Sequence, residues 1–120
     1  MDRKALLSGT ATGTVAQLAM ILAGHFVPVI RDHVFAIGGM LISLLAGGLY
    51  ARLARGGWGA SLAGGAFAGG ACALIGILVS AALGDTPAMV AVFGTCGSVV
   101  AGLAGGALAR LLAVQSASPR

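Results

Sequence analysis

The sequence predicts an all-α integral membrane protein: a four-helix bundle built from two parallel, duplicated helical hairpins, with the N- and C-termini cytoplasmic. Three observations carry this expectation. Only 8% of the 120 residues are charged, 58% are apolar and 21 are glycine, whereas a water-soluble domain carries roughly 25% charged residues. Four apolar runs, at about 5–30, 34–51, 59–83 and 88–112, approach or exceed the ~20 residues that a helix needs to cross a bilayer. The third observation is an internal repeat. Shifted by 58 residues without a gap, VFAIGGMLISLLAGGLYARL at 34–53 matches VFGTCGSVVAGLAGGALARL at 92–111 in ten of twenty positions, where this composition gives about two by chance.

The elements follow in order. Arg3 and Lys4 precede the first run, as they would a signal peptide. Thr10, Thr12, Thr14 and Gln17 interrupt the run, however, and favour a retained first membrane helix. Pro28, Arg31, Asp32 and His33 mark a tight connection to the second helix. The boundary before the third is Arg52-Leu-Ala-Arg55-Gly-Gly-Trp58, two positive charges, a glycine turn and a tryptophan suited to the headgroup level. Gly84-Asp85-Thr86-Pro87 stops the third helix and starts the fourth. A polar tail, 115–120, closes a single transmembrane domain spanning 1–120, with repeat units at about 5–54 and 59–112.

Basic residues are retained on the cytoplasmic side of a membrane. With both termini inside, Arg3, Lys4, Arg52, Arg55, Arg110 and Arg120 lie there and only Arg31 lies opposite. Arg52, Arg55, Trp58 and Arg110 are therefore the topology anchors. The second and fourth helices then run the same way, so the hairpins are parallel repeats about an axis along the membrane normal, with approximate two-fold symmetry.

Apolar side chains gain nothing by leaving lipid for protein, so membrane helices associate through close backbone contact and interhelical hydrogen bonds. Small residues four apart supply that contact: Gly9 and Gly13; Gly39, Ser43 and Gly47; Ser61, Gly65 and Gly69, with Ala66 and Gly70 beside them; Ser98, Gly102 and Gly106. These glycines form a glycine zipper, either within one bundle or toward a partner chain.

Thr10, Thr14, Gln17 and His25 lie within about 80° of one another around the first helix and form a polar stripe. Gln17 is near mid-membrane, where an unpartnered amide costs several kcal/mol. Ser43, Cys72 and Ser98 fall at similar depths and are its candidate neighbours. The stripe is either a set of interhelical hydrogen bonds or one wall of a polar path, with Ser43 and Ser98 opposite.

Several classes are disfavoured. All three acids, Asp2, Asp32 and Asp85, fall at helix ends or loops, which argues against proton-coupled antiport and rotor-ring chemistry, both of which use an intramembrane carboxylate. No serine has a histidine and an acid at matching depth, so no enzyme is expected. His25 and His33 lack the further ligands of a metal or haem site, and Cys72 and Cys96 sit inside apolar runs as packing residues, so no cofactor is expected either. The basic residues flank apolar runs rather than forming a patch with aromatics, which excludes nucleic acid. What remains is a bacterial-type, multi-pass protein of the inner (plasma) membrane whose surroundings are lipid. Its leading expected role is that of an assembly or accessory subunit, packing on itself or on another membrane protein. The alternative is a small-solute channel or transporter using the polar stripe, and a phage-type holin is third.

Overall fold

A computed structural model of the chain describes residues 2–117, apart from the side chains of 31–33, 116 and 117. The Arg120 topology expectation, and those resting on the side chains of Arg31, Asp32 and His33, lie outside the described residues. Five helices follow in order: α1 (Arg3–Phe26), α2 (Pro28–His33), α3 (Phe35–Ala54), α4 (Trp58–Ala82) and α5 (Met89–Ala117). All but α2 are long and apolar enough to cross a membrane.

Local chemistry sets the boundaries. Asp2 caps α1, its Oδ1 accepting from the Ala5 N–H at 3.1 Å. The expected first helix, 5–30, needs correction, because it breaks at Val27, whose backbone is extended (φ −122°, ψ 100°). Proline pushes the residue before it out of the helical region, and Pro28 then opens α2 at its first position. The connection is thus itself a short helix. The fourth span also exceeds its expected end at 112 and runs to Ala117, since no glycine or proline stands between Leu111 and Ala117 to stop it. At the end of α4 the Gly84 N–H donates to the Ala81 carbonyl and the Asp85 N–H to the Ser80 carbonyl, both at 3.0 Å. This is a Schellman turn, which requires Gly84 at φ +81°.

The interior is small and the perimeter large. Phe93 is 70% exposed and Leu45 67%, whereas the buried residues include Ala46, Ala51, Ala68, Ser43, Ser61 and Ser98, with Tyr50 the largest at 0%. A domain in water shows the reverse. Apolar side chains outside and close backbones inside are what packing in lipid produces, and with the four spans they mark a multi-pass membrane protein.

Glycines set the helix approaches. A Cβ built on Gly13 would lie 2.8 Å from Cys72 Sγ and 2.9 Å from Ala46 Cβ, and one on Gly9 would lie 3.0 Å from the Ala46 carbonyl oxygen. On Gly69 it would lie 2.7 Å from Gly102 Cα, 2.8 Å from the Ser98 oxygen and 3.0 Å from the Ser43 oxygen. Gly69 is therefore where α3, α4 and α5 meet. Gly65 would meet the Gly102 oxygen at 2.6 Å, Gly106 would overlap the Ser61 carbonyl, and Gly39 faces Gln17 Oε1 at 3.6 Å. Between α3 and α5, a Cβ on Gly47 would overlap the Gly102 carbonyl and one on Gly105 the Leu44 carbonyl. The 58-residue shift carries 44 to 102 and 47 to 105, so these two contacts exchange under the repeat.

The two-fold symmetry expected of the whole bundle does not extend to its perimeter. α3 packs on α4, yet α1 packs on α3 and α4 without touching α5. The cause is in the sequences of the two helices. α4 carries Gly64, Gly65, Gly69, Gly70 and Gly76 on its buried surface and can lie close to two neighbours. α1 has fewer glycines there and places the bulkier Gln17 and Ile21 among its buried residues.

Candidate functional site: a cavity floored by Gln17

Where α1 fails to reach α5, a cavity of about 330 Å³ remains. Its apolar wall includes Met20, Ile21, Phe35, Met40, Ile77 and Val90, and its polar positions are Gln17, Ser80, Asp85, Thr86 and Ser98. It runs from the Asp85 turn down to the middle of α1. The volume is at the small end of ligand pockets, which are mostly apolar with a few placed polar groups.

Gln17, 3% exposed, is the floor. Its Nε2 donates to the Gly39 carbonyl at 3.2 Å and to Ser43 Oγ at 3.4 Å. Ser43 Oγ in turn donates to the Gly69 carbonyl at 3.2 Å, and Cys72 Sγ reaches the same oxygen at 3.3 Å. One buried network thus ties α1, α3 and α4 together at mid-membrane. A carboxamide has two donors and one acceptor oxygen; with both donors engaged, Oε1 is the group that Gln17 can offer a guest.

The mouth is built by the α4 turn. The Schellman bonds bring the Asp85 carboxylate to α1, where His25 Nδ1 lies 2.7 Å from Asp85 Oδ2. Ser80 Oγ and Thr86 Oγ1 share a hydrogen bond at 2.6 Å. His25 also stacks edge-on against Phe26, with ring centroids 5.1 Å apart. The His25 ring and the Asp85 carboxylate are therefore hydrogen-bonded to each other at the mouth. The cavity supplies hydroxyls, a carboxamide and apolar wall, with its one carboxylate, Asp85, held by His25, a set that suits a small polar guest with an apolar part.

The polar stripe divides. Gln17 lines the cavity with Ser98 across from it, and His25 stands at its mouth, while Ser43 serves the network beneath. Thr10 and Thr14 do not line the cavity; their hydroxyls are buried without a hydrogen-bond partner. At the opposite end of the bundle Arg52, Arg55 and Arg110 line one shared cleft, and Trp58 opens α4 beside them, partly exposed. Among the described residues no group of three or more histidines, cysteines, aspartates or glutamates could hold a metal ion.

Sequence reasoning missed Asp85, Ser80 and Thr86 at the mouth and the Tyr50–Gly64 contact in the core. Asp85 had a signal. α1 and α4 run in the same direction in an up-down bundle, so the loops after them share a rim, and His25 and Asp85 stand at those two ends.

No protein-family model, no curated protein sequence and no solved structure matches the chain.

Proposed function

We infer that this is an inner-membrane protein of two parallel, duplicated hairpins with cytoplasmic termini, and that it takes a small, neutral, partly apolar solute into the Gln17 cavity for passage across the bilayer. The observation that carries the solute reading is the cavity itself: a largely apolar chamber with the Gln17 carboxamide at its floor, hydroxyls at its mouth and its one carboxylate, Asp85, hydrogen-bonded to His25. The expected test is flux into liposomes, measured by light scattering with glycerol, urea and acetamide as probes. Wild-type protein should conduct at least one of them, and Gln17→Leu should lower that flux about tenfold, the effect of removing one good hydrogen bond to the guest. Equal flux in the two proteins, or none in either, defeats the reading.

An assembly role rests on small-residue rows in excess of what one bundle needs. Gly9, Gly13, Gly39, Gly47, Gly65, Gly69, Gly102 and Gly106 each meet another helix of the same chain, so these rows serve packing within the bundle and do not by themselves favour a partner chain. A holin has no observation of its own in its favour.

The exchange of Gly47–Gly102 with Leu44–Gly105 supports the parallel duplication, because a two-fold axis along a pair of parallel helices produces such reciprocal contacts. The clustering of Arg52, Arg55 and Arg110 at one end supports its assignment as the cytoplasmic end. In a Cys72→Ala, Cys96→Ala background, the Ala88→Cys variant should react in intact cells with a membrane-impermeant maleimide, and Gly57→Cys only after permeabilisation. The reverse pattern inverts the topology.

A further inference from the structure

Between α3 and α5, toward the end that carries Arg52 and Arg110, lies a cleft of about 970 Å³. Only these two helices and the Arg55-Gly56 turn line it. Leu44, Leu45, Leu49, Leu108 and Leu112 form its apolar walls, and Arg52, Arg55 and Arg110 stand at its end. None of these arginines is paired with a carboxylate among the described residues. Arg110 Nε is buried and has no hydrogen-bond partner.

We propose that this cleft is a binding site for one anionic phospholipid, its phosphate held by Arg52, Arg55 and Arg110 and an acyl chain laid between α3 and α5. Charge complementarity selects the headgroup. Three guanidiniums with no internal counter-ion sit where the apolar spans end, at the depth of lipid phosphates, and guanidinium binds phosphate oxygens in a two-pronged geometry that ammonium cannot match. An orphaned Nε–H on Arg110 is a donor awaiting an acceptor. The walls select lipid over a free anion: from Arg52 back to Leu44 the cleft follows about 12 Å of helix, lined by leucine and opening on Leu45 and Leu108, both largely exposed. The repeat explains how the site arose. Arg52 and Arg110 are the same position of the two copies, and parallel packing of α3 and α5 brings them to one rim. Basic pockets between helices near the membrane surface are a general means of holding anionic headgroups.

The site is at the opposite end of the bundle from the Gln17 cavity and does not depend on the solute reading. Full-length protein, purified from mixed phosphatidylglycerol and phosphatidylcholine vesicles, is examined by native mass spectrometry for retained lipid. Wild type should keep one phosphatidylglycerol in preference to phosphatidylcholine, and Arg52→Gln/Arg110→Gln should lose that preference by about tenfold or more. The double lysine variant should retain part of it. A thermal midpoint in neutral detergent that is the same for all three proteins separates lost binding from lost fold. Equal retention of the two lipids by wild type, or an unchanged preference in the glutamine variant, overturns the proposal. So does full competition by soluble glycerol phosphate, which would make the site one for free phosphate.

Discussion

Gly102→Leu is expected to abolish the folded bundle, and even Gly102→Ala to lower its stability by about 3 kcal/mol or more. A Cβ on Gly102 would overlap the Gly65 carbonyl and lie 2.9 Å from Gly69 Cα, while the Gly47 side of the crossing already abuts the Gly102 carbonyl. All of these are backbone atoms, so no rotamer change relieves the contact. One helix must retreat. Because α5 lies on α4 and on α3, a retreat opens both interfaces along their length and gives up many contacts of about 0.1–0.2 kcal/mol each. In lipid no hydrophobic term compensates for this loss. Unfolding followed by far-UV circular dichroism and Trp58 fluorescence during titration with sodium dodecyl sulfate measures the effect. The control is Gly59→Ala, where a Cβ meets nothing within 4 Å and the change should be neutral or stabilising by up to about 1 kcal/mol. Equal midpoints for Gly102→Ala and Gly59→Ala would remove the crossing from any account of the fold.

That crossing was half legible in the sequence. The rows Gly39-Ser43-Gly47 and Ser98-Gly102-Gly106 announce close approach, because four-residue spacing stacks small side chains on one helix face. Depth was legible too. Counting residues from each boundary places Gln17, Ser43, Cys72 and Ser98 at one level, and the Gln17–Ser43 hydrogen bond, with Ser43 and Cys72 sharing the Gly69 carbonyl, follows from it. Azimuth was not. Whether Gly64 or Gly65 faces α3 depends on how far α4 rotates about its own axis, which the neighbouring helices set together. Tyr50 illustrates the limit: in the sequence it is an aromatic four residues from the end of a span, like an interfacial anchor, yet it is fully buried. The missing α1–α5 contact, and hence the cavity, was equally illegible, since each helix alone looks able to close a symmetric bundle.

Tyr50 and Gly64 supply the second large effect. A Cβ on Gly64 would fall inside the Tyr50 ring, overlapping Cε1 and Cζ and lying 2.5 Å from Cδ1. Unlike the α3–α5 crossing, the obstacle here is a side chain, and removing it should remove the penalty. Tyr50→Ala is expected to cost about 3 kcal/mol, for the cavity left beside Ala5, Ala46, Ala51, Ala68 and Cys72. Gly64→Ala alone should cost about 2 kcal/mol through the clash with the ring. In the Tyr50→Ala background the added methyl enters vacated space, and alanine is the better helix former by about 1 kcal/mol, so Gly64→Ala should there be neutral or stabilising. The cycle therefore predicts a coupling of about 2 kcal/mol or more, at the upper part of the range for residues in contact. Tyr50→Phe isolates the hydroxyl, which accepts from the Asp2 N–H at 3.3 Å; its loss should cost no more than about 1 kcal/mol and act on the first turn of α1. Additive effects of Tyr50→Ala and Gly64→Ala would mean that ring and glycine do not meet, and that α4 is rotated from the position on which the Gly69 junction and the Gln17 network both depend.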